Sequence, residues 1–443
     1  MLKNKLIIIL LLILIIFFIN SNIVYSKTLT VGNTYKTINQ AINDANNGDI
    51  IEVQKGLYNE QIVIKKAITL KGVGAPEIVI SKDYTIEIKS PDVIIEGLTF
   101  ISDGRDNNPA SVTIFIDKSA LRAIIKDNIF IKTMTGISNF EGSDLRIENN
   151  KISGRGDLGE NDRGNCINLT GSQAVAVIGN KLDNCRDGIY MEVCHHSTVV
   201  NNEVTKSRFS IHTMWVDEGH FNNNVLYDNL VGLNIMYTKH SDIKGNICVG
   251  NRTIGLILNQ TVRSEVTDNI LISNTKGLFF HNSIYNNISR NLIMNNNLGL
   301  HCLGGSVDNK IWNNSFIQNE FQVKFVAAKN QFWDNNYWSD YIGWDVENDG
   351  KGDIPYETNT IVDQLFWRYP LSKMLFSSPA LHVLIALEKQ FPIIKTPRVV
   401  DKTPSMKPFH PDWKKLLKQY AAYKPQQYYG EMEKIANMSG GGF

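Results

Sequence analysis

From about residue 128 to residue 340 the chain runs in short pieces that alternate apolar and polar positions, such as IIKDNIFI, RIENNKIS, VVNNEVT, IKGNICV and VTDNILI. Alternation with period two predicts strands that bury one face. The pieces are anchored on an asparagine that recurs at Asn128, Asn150, Asn180, Asn202, Asn224, Asn246, Asn269, Asn291, Asn314 and Asn336. The intervals are 22, 30, 22, 22, 22, 23, 22, 23 and 22. Two positions after each anchor the column reads Phe130, Ile152, Leu182, Val204, Leu226, Cys248, Leu271, Ile293, Phe316 and Trp338, which must point inward. Cys248 is therefore a small core residue. A repeat of about 22 residues carrying two or three short strands predicts an all-β fold, a right-handed parallel β-helix.

Two further columns keep the same phase. Five residues after the anchor stand Asn229, Asn251, Asn274, Asn296 and Asn319, preceded on earlier coils by Cys185 and Ser207. Stacked asparagines bond from rung to rung and tolerate left-handed corners, so Cys185 reads as a structural corner residue. A glycine column (Gly136, Gly188, Gly232, Gly255, Gly277, Gly299, with Cys166 and Ser210 at the same phase) is followed by an aliphatic stack running from Ile137 to Leu300. Both columns jump by 30 together, so eight extra residues within SGRGDLGENDRGN leave the coil as a loop. Loops on rigid scaffolds often carry function. Upstream, YKTINQAINDANNGDIIEVQKGLYNE predicts a short helix capping the open end of the stack. After Trp338 the repeat stops and an irregular, partly helical tail follows.

Lys3 and Lys5 precede an apolar run, Leu6 to Ile19, with Val24 and Ser26 placed for cleavage before Lys27. This predicts an exported chain with a signal peptide at 1–26, the run being short for a membrane span of about 20 residues. The domains expected are 27–340 for the β-helix, 341–410 for the tail and 411–443 for a basic, tyrosine-rich extension, helical then flexible, of no assigned role. The formal charge is +1, and −1 without Lys3 and Lys5. Near neutrality argues against a nucleic-acid partner. Five cysteines leave at least one unpaired.

Counted from the glycine column, offsets two and four point outward. Rungs lie about 4.8 Å apart. His212, Met214 and Met236 then share one patch of the outer surface, with Tyr190 one rung away and Glu192 beside it as a fourth candidate copper ligand. Imidazole with thioether suits Cu(I) rather than oxygen-seeking cations. An apolar docking patch is the alternative. Cys194 falls in a column of Ser172, Thr238, Thr261 and Ser283, a corner position, with His195 and His196 beside it; Cys302 belongs to the core. In DVENDGKGD, Asp345, Glu347, Asp349 and Asp353 resemble half of a calcium loop, but Tyr356 stands where its last acid is required. A calcium-stabilised turn and an ordinary Asp/Gly turn both fit. Many exported β-helices act on polysaccharides through paired carboxylates, and the outward columns here carry no such ladder. A carbohydrate-active enzyme and an adhesive surface solenoid are the competing readings.

The segments GRGDLGENDRGNCINL, DGIYMEVCHHS, FSIHTMWVDEGHF, VGLNIMY, FWDNNYWSDYIGWDVENDGKGDIPY and FWRYPLSKMLFSSPALHVL resemble the NosD family over roughly residues 28 to 410. The resemblance implies a non-enzymatic periplasmic protein, membrane-associated through an ABC transporter made of a membrane subunit and an ATPase. It implies a role in assembling the copper centre of nitrous oxide reductase, with a lipoprotein copper chaperone as donor. His212, Met214 and Met236 match family positions, and copper would be held there transiently as Cu(I). The chain departs from the pattern at Cys166, where the family has glycine, at His195 and His196, and after about residue 411. PALHVLIALEKQF is an apolar segment too short to span a bilayer. It suits either a cap over the last coil or a docking helix for the membrane subunit, through Leu381, Val383, Leu384, Leu387 and Phe391.

Overall fold

A computed structural model describes residues 26–425, apart from Lys82, Asp103, Arg105, Asp106, Pro109, Asn359, 376–377 and 391–397. The expected signal peptide (save Ser26), Phe391 and the end of the basic extension lie outside the described residues.

The chain coils into a right-handed parallel β-helix of about 14 turns, with three parallel sheets of 14, 12 and 13 strands. Each strand pairs with the equivalent strand of the next coil, as in Val199 with Phe221, Ile211 with Leu233 and Val204 with Leu226. The 30-residue interval leaves pairing intact, Ile137 facing Ile167 and Ile152 facing Leu182. Every residue of the predicted inward column from Phe130 to Trp338 is buried, and Cys194, Cys248 and Cys302 are buried free thiols. Burying each large apolar side chain contributes roughly 1.5–3 kcal/mol. The stack ends in face-to-face rings, Phe316 on Trp338 at 4.4 Å and Trp338 on Tyr356 at 4.3 Å.

The asparagine ladder is continuous. Asn224 donates its backbone N–H (3.0 Å) and a side-chain N–H (2.9 Å) to Asn246 Oδ1, and the same amide donates to Val199 O at 2.9 Å. The left-handed residue at this corner is not the ladder asparagine but the one before it, such as Asn201, Asn223 or Arg290. That shift lets the asparagine point its amide inward while its neighbour makes the turn. At the last rung, Asn336 donates from its backbone (2.8 Å) and side chain (3.0 Å) to Asp401, which also accepts from Trp338 Nε1 at 3.1 Å. Asp401 arrives on the short strand Val399–Asp401, paired antiparallel with Tyr356–Thr358. Burial pushes its carboxyl up, against the donors that surround it.

The ends are covered. The helix Ile38–Asp44, capped by Thr37, buries Ile38, Ala41 and Ile42 against the first coils. In the tail, Ile361–Arg368 opens with a Thr360/Asp363 capping box, a helix the sequence reading did not predict. Pro379–Gln390 is helical, as expected. A further helix, Trp413–Gln419, lays Trp413, Leu416, Leu417 and Tyr420 against outward-facing Val249, Ile272, Met294 and Ile317. The described part of the basic extension thus covers an apolar outer stripe.

Candidate functional site

Three adjacent strands, Asp187–Glu192, Phe209–Met214 and Val231–Met236, build the predicted patch on the outer face of the 12-stranded sheet. Tyr190 is in register with His212, Glu192 with Met214, and Met214 with Met236. The patch is less open than expected. Met236 is only 3% exposed and the His212 side chain 12%. Side chains on rungs about 4.8 Å apart shield one another. Met236 lies between Met214 and Asn259 in register, and the rings of Tyr190 and Phe209 stand 5.1 and 4.7 Å from that of His212.

The residue that organises the site is Asp187, which the sequence reading missed. It is fully buried, and its Oδ2 lies 3.0 Å from His212 Nδ1. Arg208 donates Nε to Oδ1 and Nη2 to Oδ2, both at 3.0 Å. Burial alone would push this carboxyl up, but the hydrogen bond to His212 and the charges of Arg208 and Arg186 hold it below the usual range. His212 Nε2 has no hydrogen-bond partner among the described residues. A carboxylate on one imidazole nitrogen fixes tautomer and orientation and leaves the other free to bind a metal. Around it, the Tyr190 hydroxyl lies 3.2 Å from Glu192 Oε2 and 3.7 Å from Met214 Sδ, and Asn234 Nδ2 donates to Met236 Sδ at 3.4 Å. Burial, then the charge of Glu192, pushes the Tyr190 hydroxyl up to about 12.

The eight-residue insertion folds beside this region. Arg155 pairs with Asp157 at 2.7 Å, Arg163 donates to Lys206 O at 3.0 Å, and Glu160 pairs with Arg252. Its base is tied down by a Cys166–Cys185 disulfide. Cys166 is thus no free thiol beside the loop, and Cys185 is more than a corner filler. Adjacent coils bring the two within reach across 19 residues, a pairing the column arithmetic did not make.

Other candidates resolve differently. His301, two positions past Gly299 and so at an outward offset, is buried with both ring nitrogens lacking hydrogen bonds; burial and the charges of Lys276 and Lys324 hold it well below its ordinary value. In the acidic turn the carboxylates take backbone amides. Asp345 accepts from Asp349 and Gly350, Asp349 from Lys351, and Asp353 from Val346, while Glu347 is exposed. That is the pattern of an Asp/Gly turn. Among the described residues no three His, Cys, Asp or Glu side chains converge as a ready metal site. On the tail helix, Leu381 and Leu384 pack with Val362, Phe366 and Phe321, whereas Val383 and Leu387 are exposed.

The family model described as "Periplasmic copper-binding protein (NosD)" matches residues 148–343. A "Probable ABC transporter binding protein NosD" of Stutzerimonas stutzeri is 34% identical over 374 residues, covering 80% of this chain and 85% of its own. The chain belongs to the NosD family. A NosD of the same description from Pseudomonas aeruginosa is 32% identical over 340 residues, covering 73% and 79%. Solved structures similar to this NosD-family chain include a lidless DFA-IIIase of Arthrobacter chlorophenolicus A6 (TM-score 0.54, 15% identity, covering 69% of this chain and 99% of that one). The Dettilon tailspike protein is also similar (TM-score 0.51, 15% identity, covering 68% and 66%). At such identity these likenesses show the fold alone.

Proposed function

We propose that this protein is a non-enzymatic periplasmic accessory factor that accepts Cu(I) at His212, Met214 and Met236 and passes it on during assembly of the copper centre of nitrous oxide reductase. The observation that carries the reading is the buried Asp187 carboxylate holding His212 by Nδ1 beside two thioethers in register. Neutral imidazole and thioether are soft, uncharged donors. They favour Cu(I) and, lacking thiolate, release it readily. Copper is cargo here rather than a resident cofactor. Glu192 at the rim supplies negative charge near the incoming ion. The NosD relatives, named as ABC transporter binding proteins, support association with a transporter's membrane subunit and its ATPase. No helix among the described residues is long and apolar enough to cross a membrane. Exposed Val383 and Leu387 are the contact we assign to the membrane subunit, and a lipoprotein chaperone is the assigned copper donor.

The test is Cu(I) titration of the mature chain against a chromophoric chelator. Met→Leu nearly conserves volume, so the Met214→Leu/Met236→Leu variant keeps its packing, whereas adding His212→Ala also takes a partner from buried Asp187 and lowers the unfolding midpoint. The triple variant, titrated at a temperature where it is fully folded, should lose stoichiometric Cu(I) binding, and the double variant should bind far more weakly than wild type. Unchanged Cu(I) affinity would overturn the site.

A further inference from the structure

Four residues past Met214 the chain turns from the 12-stranded to the 14-stranded sheet, and this corner carries histidines that the Cu(I) patch does not use. We propose that His196, His220 and His240 form a second, surface site for a divalent borderline transition ion, Zn(II) or Cu(II).

His196, Glu218 and His240 occupy the same corner position on three successive coils, at left-handed φ of 51°, 56° and 52°. The backbone under them is fixed. His196 N donates to Asp217 O at 3.1 Å, Glu218 N to Lys239 O at 2.9 Å, and His240 N to Val262 O at 3.1 Å. With rungs about 4.8 Å apart, His196 and His240 are separated by roughly 10 Å at their backbones, a gap two imidazoles can bridge through one ion. His220 begins the strand two residues after Glu218, and all four side chains line one open depression.

Two of the rings are already held in the manner of ligand histidines. His196 Nδ1 lies 2.9 Å from Glu218 Oε2, and His220 Nδ1 lies 3.0 Å from Asp242 Oδ2. A carboxylate on Nδ1 orients the ring and presents Nε2. These side chains are more than half exposed, so they turn without disturbing the core; as they stand the rings do not yet converge, and binding requires that turn. The left-handed corner tolerates histidine in any case, but the same column elsewhere holds Asp144, Ala174, Arg263, Tyr285, Asp308 and Asn330. Only at His196 and His240 does it bring imidazoles together beside a third. The depression contains no sulfur, so its donors suit Zn(II) or Cu(II) rather than Cu(I).

The test uses the untagged mature chain. Calorimetric titration with Zn(II) should show one site; His196→Ala and His240→Ala should each weaken it at least tenfold, and the double variant should abolish it. Met214→Leu/Met236→Leu should leave it unchanged, so failure of this site and failure of the Cu(I) site are distinguishable. Bound Cu(II) should show nitrogen hyperfine coupling from at least two imidazoles, with one fewer in each single variant. Wild-type affinity no tighter than that of the double variant, or coupling unaltered by the histidine changes, overturns the proposal.

Discussion

Asp187→Asn tests whether His212 is held for metal binding or merely packed. The carboxylate accepts two bonds from Arg208 and one from His212 while fully buried. Asparagine keeps one acceptor oxygen and replaces the other with a donor, so either Arg208 or His212 loses a partner. Removing one partner of a buried charged pair costs about 3–5 kcal/mol, an upper bound because one oxygen remains. If the new amide faces His212, Nδ1 must become the acceptor and the proton moves to Nε2, the nitrogen a metal would need. Loss of such an outer partner typically lowers metal affinity 10–100-fold, about 1.4–2.8 kcal/mol. The assay is Cu(I) competition at a temperature where urea titration shows the variant fully folded. Affinity within twofold of wild type, while His212→Ala loses binding, would refute the orientation argument.

Three other outcomes are expected. Asn224→Ala removes the acceptor used by Asn202 N and Nδ2 and the donor to Val199 O, all buried. At about 1–3 kcal/mol per orphaned group it should cost roughly 3–9 kcal/mol, with hydrogen exchange accelerated in neighbouring coils and unchanged near the N-terminal helix; a loss under about 1 kcal/mol contradicts the ladder's role. Asp49 accepts from Asn46 N (2.7 Å) and Lys27 N (2.9 Å), which hold its carboxyl below the usual range despite burial. A depressed carboxyl contributes stability that is complete above the unfolded value near 4 and is lost as pH falls through the folded one. Melting of Asp49→Asn should therefore depend less on pH below 4 than that of wild type, and parallel acid limbs would be the contrary result. Replacing Cys166 and Cys185 by serine should lower stability in urea by about 3 kcal/mol, and an unchanged midpoint would show that the bridge is not formed in solution.

The coil was legible because its signal repeats: any one column, such as Phe130 to Trp338, is read many times over, and errors at one rung are corrected by the next. What failed was what occurs once. Asp187 stands one position before the glycine column, outside the offsets that were followed, although a carboxylate there followed 25 residues later by His212 was a usable sign. Met236 and His301 sit at outward offsets yet are buried, because an offset does not fix exposure, which depends on neighbouring rungs. That the basic extension opens with a helix was legible, but where it docks was not read, although the outward apolar column Val249, Ile272, Met294 and Ile317 is a stripe that requires a cover. The disulfide joins residues whose columns differ, so periodicity could not pair them.

The asparagine ladder also has a direction. Each of its ten side chains accepts from the coil before and donates to the coil after, beginning with Leu98 N on Asn128 Oδ1, so the amide dipoles add along the axis instead of cancelling. An eleventh asparagine at the far end would only pass the same unmet donor onward. An ionised carboxylate accepts without donating, and Asp401 is the residue that receives the last amide. The solenoid therefore carries a chemical full stop. A further coil could not be appended after Asn336 without displacing an anion from the positive end of a polar wire, and the length of the scaffold is set by that charge as much as by the number of repeats.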